Sequence, residues 1–199
     1  LHAGIEHTII PDRIEAGTFL MAAAITSGDI TLKYVEPNHL KIVLKYLQLA
    51  GMRLEINKNT IHIMPRKSSI LPVDMTTNIY PGFPTDLQAQ WMALMTKAKG
   101  PSTIVENIYK DRFTHISELS RFGAEIDLHQ NKASIKGNCN LIPAPVMSTD
   151  IRASASLILA ALAAKGESTI SRIYHIDRGY ENIEVKLSEI SANINRETV

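Results

Sequence analysis

One cysteine in 199 residues, Cys139, leaves no room for an internal disulfide framework and fits a reducing compartment. Long apolar runs are missing as well. The longest, Leu157 to Ala164, has eight residues against the roughly 20 that a membrane-spanning helix needs. Neither sign of charge is in excess: 21 Lys and Arg stand against 20 Asp and Glu, a formal net charge of +1. With no basic stripe, a nucleic acid or an anionic membrane is not the expected partner. There is no glycine-rich loop of the phosphate- or dinucleotide-binding kind, and the seven histidines show no spacing of zinc ligands. The chain opens Leu-His-Ala-Gly-Ile, with no initiating Met and no charged-then-apolar leader, as expected of a cut inside a longer chain. The cytoplasm is the default expectation.

What remains, 45% hydrophobic and 21% charged, is the composition of a globular protein with a sizeable core. That core is written three times. Pro11-Asp12-Arg13-Ile14, Thr85-Asp86-Leu87-Gln88 and Thr149-Asp150-Ile151-Arg152 each open a small, apolar stretch. The stretches run to Gly28, Gly100 and Gly166, which predicts helices over 12–27, 86–99 and 150–165 with an Asp cap and a glycine stop. Each is followed by a β-rich run (Ile30–Val35, Ser102–Val105, Ser168–Ile173) and then by a helix apolar on one face. Copies one and two continue into hairpins, Arg53–Ile56 with Thr60–Met64 and Glu125–Leu128 with Lys132–Lys136. The third copy has Ser191-Ala192 and room for one strand. Strands at Thr8–Ile10, Val73–Thr76 and Pro145–Met147 would precede the three opening helices.

The result is a βαβαββ unit repeated over approximately 5–66, 72–137 and 144–199 in one domain with pseudo-threefold symmetry. The opening helices are apolar on all sides and the second helices on one. Buried helices at the centre with three sheets outside satisfy both facts.

These repeats resemble the enolpyruvyl transferase family, whose domains are inside-out α/β barrels of three such units. Phe83-Pro84-Thr85-Asp86-Leu87-Gln88-Ala89-Gln90, Asp111-Arg112-Phe113-Thr114-His115, Thr149-Asp150-Ile151-Arg152-Ala153-Ser154-Ala155 and His175-Ile176-Asp177-Arg178-Gly179-Tyr180-Glu181 look like signatures of the branch that acts on UDP-N-acetylglucosamine, as does Pro11 to Thr18. Family members have two such domains facing a cleft. The resemblance implies that this chain is the second domain, and that the first domain, with its cysteine-bearing loop, is its missing partner. A short N-terminal family segment that completes the third copy is absent too. The implied substrates are UDP-N-acetylglucosamine and phosphoenolpyruvate, with no cofactor, no metal, no nucleic acid and no membrane, in the cytoplasm of a bacterium.

The implied site residues each have a plainer alternative. Asp86 is an N-cap worth about 1 kcal/mol, or the base that takes a proton from the sugar 3-hydroxyl. Asp150 is a cap, or it moves protons or orients Arg152. Arg112 and Arg178, each 12 residues after its glycine and each preceded by Asp, form surface ion pairs or, with Arg152, grip phosphate and carboxylate. Ile108 matches a position that touches the sugar nucleotide through its backbone. Asp12 reads as structural, Cys139 as a structural or exposed thiol, and His115 and His175 as local hydrogen-bond partners. A shikimate-pathway enolpyruvyl transferase is the alternative inside the family; a non-catalytic domain that binds a nucleotide sugar or a protein is the alternative outside it.

Overall fold

The structure is a computed structural model that describes residue 4 and residues 6–197. The outer bounds expected for the first and third repeats, residues 5 and 199, lie outside the described residues.

Three buried helices make the centre: α1 (Arg13–Thr26), α3 (Gln88–Thr96) and α5 (Ile151–Ala163). Small residues let them approach one another, and all three are in mutual contact. All nine residues of α3 are buried, as are Ala16 to Ile25 of α1 and Ala153 to Ala160 of α5. Each fully buried Leu, Ile or Met here contributes about 1.5–3 kcal/mol relative to exposure. Between copies one and two, Tyr46, Phe83 and Trp91 form a triangle of edge-to-face contacts with centroids 5.3–5.7 Å apart.

The second helices, α2 (Lys41–Leu49), α4 (His115–Arg121) and α6 (Ile183–Glu189), bury one face each, through Val43, Leu44 and Leu47, through Leu119, and through Ile183 and Leu187. Outside them lie three sheets. The first has β1 (Ile30–Lys33), β2 (Arg53–Ile56) and β3 (Thr60–Met64) in the order β1-β3-β2, all antiparallel. The second has β4 (Met75–Thr76), β5 (Ser102–Val105), β6 (Ile126–His129) and β7 (Lys132–Ile135) in the order β4-β5-β7-β6, with β4 parallel to β5. The third is the parallel pair β8 (Pro145–Met147) and β9 (Thr169–Ser171). Helices inside and sheets outside is the expected mixed α/β architecture.

Two expectations need correction. Thr8–Ile10 forms no strand: β1 is laddered only to β3, and Ile9 and Ile10 stand exposed without the parallel pairing that β4 and β8 find. The glycine stops also sit too late. α1 ends on Ser27 in the left-handed conformation (φ 63°), with its N–H on Ala23 O, and α3 and α5 end three residues or more before Gly100 and Gly166. A serine can take the left-handed conformation at a modest cost, so the glycines mark the start of the following strand rather than the helix end.

Candidate active site

Three aspartates open three central helices, and only two of them cap. Asp12 Oδ1 accepts from the N–H groups of Ile14 (2.7 Å) and Glu15 (3.2 Å). Asp150 Oδ1 accepts from Arg152 N (2.8 Å) and Ala153 N (2.9 Å). Asp86 instead lies inside a single 3₁₀ turn, Thr85–Leu87, whose N-terminus has no side-chain cap. Its carboxylate turns outward, and Oδ1 accepts from Arg112 Nη1 at 2.6 Å, with Arg152 Nε 3.3 Å away. The cap reading of Asp86 is therefore excluded, while that of Asp150 holds.

The cluster joins two repeats. Arg112 comes from the loop after β5, where its guanidinium lies 5.3 Å over the Tyr109 ring. Arg152 comes from the first turn of α5. Half-burial works to raise the pKa of Asp86, but the Arg112 hydrogen bond and the charges of Arg152 and Arg112 outweigh it and hold the carboxyl below its usual range. Burial also works to raise Asp150, and the Ala153 and Arg152 amides with the Thr114 hydroxyl (3.1 Å) bring it below its usual value. Among the described residues the Asp150 carboxylate makes no ion pair with Arg152; it reaches that residue through the backbone.

Ile108 is exposed, and its N–H donates to Glu106 Oε1 (2.8 Å). Its carbonyl accepts no hydrogen bond among the described residues. Arg178 is not part of the Asp86 cluster. It ends the 3₁₀ segment Ile173–Arg178, exposed, with no side-chain hydrogen bond or ion pair among the described residues. Neither Arg112 nor Arg178 pairs with the Asp before it; Asp177 is held by Arg196 (2.7 and 3.0 Å). The Arg178 segment does reach the site's neighbourhood, because Gly179 packs against Ile151 so closely that a Cβ would strike that side chain.

Tyr180 lies two residues after Arg178, in the same motif. It is buried, shares a hydrogen bond with Thr18 (2.8 Å) and accepts one from Gln90 (3.3 Å). Burial raises its phenol, and the nearby Arg152 charge partly opposes this. Its spacing with Ile183 and Leu187 continues the apolar face of the third copy's second helix, which signals burial but not the hydrogen bonds that its hydroxyl makes. Glu106 was missed altogether; a carboxylate closing a β-rich run is the mark that was there.

The histidines correct another expectation. His115 is buried with neither ring nitrogen hydrogen-bonded, and it stacks on Phe113. His175 packs against Tyr174, ring centroids 4.3 Å apart. Burial, with a smaller contribution from the Arg112 charge, pushes the His115 pKa down from 6.5 to about 4, against the opposing pull of Asp150. The folded protein therefore holds this ring neutral where the unfolded chain would protonate it. Stability should fall as pH drops from 6.5 to about 4, by up to roughly 3 kcal/mol from this residue. Unfolding midpoints measured by calorimetry across that range should show the loss, and His115→Phe should flatten it. An unchanged slope in the variant would assign the acid sensitivity elsewhere.

Cys139 is half-buried, donates to Gly123 O (3.2 Å), and burial raises its pKa, so it is not poised as a thiolate. Among the described residues no group of three or more potential metal ligands occurs, and no helix is long and apolar enough to cross a membrane.

Residues 2–187 match the family profile described as EPSP synthase (3-phosphoshikimate 1-carboxyvinyltransferase). Curated relatives named UDP-N-acetylglucosamine 1-carboxyvinyltransferase include that of Bartonella tribocorum, 52% identical over 98% of this chain and 46% of the relative. That of Desulfatibacillum aliphaticivorans is 54% identical over 96% of this chain and again 46% of the relative. The chain thus spans about half the length of the curated relatives it matches. Among solved structures, the enolpyruvyl transferase NikO from Streptomyces tendae superposes with a TM-score of 0.88 at 27% identity, covering 95% of this chain and 45% of that one. An EPSP synthase from Acinetobacter baumannii, at 16% identity and TM-score 0.62 over 82% of this chain and 39% of that one, shares the fold.

Proposed function

Because the chain belongs to the EPSP synthase family, we propose that it is the carboxy-terminal half, one domain of three repeats, of an enzyme that moves the enolpyruvyl group from phosphoenolpyruvate to the 3-hydroxyl of UDP-N-acetylglucosamine and releases phosphate. The observation that carries this reading is Asp86, turned away from its helix and clasped by Arg112 and Arg152. Relatives named for that reaction are about half identical to this chain, which favours the nucleotide-sugar acceptor over shikimate 3-phosphate. The reaction would place the enzyme at the first committed step of peptidoglycan synthesis, in the bacterial cytoplasm.

In this reading the 3-hydroxyl oxygen adds to the phosphate-bearing carbon of the donor's double bond while Asp86 accepts the hydroxyl proton and the methylene carbon takes up a proton. Loss of a proton from the resulting methyl group and departure of phosphate then restore the double bond on the sugar-linked group. Arg112, Arg152 and Arg178 bind the phosphate and carboxylate of the donor through their guanidinium forks. An Asp held by two arginines is a poor base. Anionic substrates would draw those cations toward themselves, which raises the carboxylate's proton affinity as the reaction begins. Asp150 keeps α5 capped and so keeps Arg152 aimed. The Ile108 carbonyl offers an acceptor to the sugar nucleotide.

The first half of the enzyme supplies the opposite wall of the cleft. This chain alone should therefore release no phosphate from phosphoenolpyruvate in the presence of UDP-N-acetylglucosamine, and joining it to the amino-terminal half of a curated relative should restore release. Substantial turnover by the chain alone would put the chemistry somewhere else. Faster turnover with shikimate 3-phosphate than with UDP-N-acetylglucosamine in the joined enzyme would favour the other acceptor.

A further inference from the structure

Glu106 is fully buried, follows β5 directly, and accepts four hydrogen bonds from three separate segments. Oε1 takes the Thr77 hydroxyl (2.6 Å) and the N–H groups of Ile108 (2.8 Å) and Tyr109 (3.0 Å). Oε2 takes the Thr85 hydroxyl (2.9 Å). Its own backbone is pinned by Asn131, which accepts from Glu106 N (2.8 Å) and donates from Nδ2 to Glu106 O (2.9 Å). The Thr77 hydroxyl that donates to Glu106 also accepts from Asn107 N (2.8 Å). A carboxylate only accepts, and every neighbour here donates, so the match is complete.

The two sides of this knot are the two sides of the site. Thr85 is the residue before Asp86, in the same turn. Ile108 and Tyr109 are in the loop that leads to Arg112, whose N–H bonds to Tyr109 O (2.9 Å) and whose guanidinium lies over the Tyr109 ring. We infer that Glu106 is a positioning residue, one that fixes the Asp86 turn against the Ile108–Arg112 loop and so sets the distance between the proton acceptor and the groups that hold the substrates. The inference rests on the proposed transfer reaction for its consequence, but its geometry stands apart from it. Displacing a reacting group by about 1 Å can cost 10²-fold in rate, so a tie between these two segments has large leverage.

Thr85→Val and Glu106→Gln test it by different routes. Thr85→Val keeps the shape of residue 85 and removes only the bond between the Asp86 turn and Glu106, leaving the loop tied. Glu106→Gln places an N–H₂ where one donor must now become an acceptor. Thr85 can comply by reversing its hydroxyl, whereas an amide N–H cannot. In the chain joined to the amino-terminal half of a curated relative, Thr85→Val should lower kcat about tenfold with the KM for UDP-N-acetylglucosamine nearly unchanged. Glu106→Gln should lower kcat and raise that KM. Both effects should persist at temperatures well below the melting point of each variant. In this chain by itself, hydrogen exchange at residues 85–87 should quicken on the order of tenfold in Thr85→Val and by less in Glu106→Gln, where the Thr85 bond can survive with its direction reversed. Should both variants lose thermal stability while kcat, KM and exchange stay within twofold of the parent, Glu106 is a loop anchor only and the inference falls. If instead the unmodified joined enzyme turns over neither acceptor, the proposed reaction falls, and unchanged or quickened exchange in this chain still decides the tie.

Discussion

Asp86→Asn, made in this chain joined to an amino-terminal half, is expected to cut kcat by roughly 10² or more while the unfolding midpoint hardly moves. Asparagine caps helices about as well as aspartate, so the exchange would be silent if Asp86 were a cap, and Asp12→Asn is the matching control. The structure removes that ambiguity in advance, because no amide at the start of α3 uses the Asp86 carboxylate. What the variant loses is a proton acceptor and a counter-ion for two guanidinium groups. The Asp86 side chain keeps about a third of its surface in solvent, so losing those half-buried pairs should cost on the order of 1 kcal/mol, small beside the expected loss in kcat. Because the clasp holds its pKa below the usual range, Asp86 stays ionised in the free enzyme as pH falls toward 5. The acid limb of kcat/KM should therefore not come from Asp86 above that pH. Near-parental turnover in Asp86→Asn would rule out an essential carboxylate there.

Much of this was legible in the chain itself, for reasons that differ by element. The hairpin Arg53–Ile56 with Thr60–Met64 shows its alternation and its polar turn in plain sequence, and it forms at those bounds. The central helices were legible because a stretch such as Phe19 to Ile25, apolar on every side, can only be buried in a protein with water around it. Thr8–Ile10 looked like a strand by β-branched content, yet a strand exists only where a ladder partner lies alongside, and sequence does not say where the partner is. The same limit applies to the site. The resemblance pointed to Asp86, Ile108, Arg112, Asp150, Arg152 and Arg178; the structure brings Asp86, Arg112 and Arg152 together and leaves the Arg178 side chain apart, with no partner among the described residues. The local pattern around Asp86 reads as a cap like its two counterparts, since nothing nearby in sequence shows that Arg112, 26 residues on, reaches back to it. The place of Glu106 at the end of a β-rich run was visible but its role was not, because its partners at 77, 85, 108 and 109 share no periodicity; only the fold assembles them.

The largest effect on stability is expected from Gly137→Ala, in the link between the second and third repeats. Gly137 has φ +74°, in the left-handed region, where a side chain costs about 1–2 kcal/mol. Gly51, at φ +91°, shares that cost, but its nearest neighbour to an added Cβ is the Leu71 side chain at 3.8 Å, so Gly51→Ala measures the backbone cost nearly alone. At Gly137 the added carbon would run into main-chain carbonyl oxygens, those of Gly100 and of Ala98 (2.6 Å). No rotamer change relieves a collision with backbone. The link would have to move, and in moving it would break Asn138 N–H to Ala98 O (2.7 Å) and Cys139 N–H to Thr96 O (2.9 Å), the bonds that dock it on the end of α3. We expect Gly137→Ala to cost about 4 kcal/mol or more in urea unfolding, against about 1–2 for Gly51→Ala. The position matters to the site because α3 follows directly on the Asp86 turn while α5, beyond the link, carries Arg152. A variant that survives with the link displaced should thus also weaken the Asp86–Arg152 pair, and equal losses at the two glycines would show that the link is free to yield.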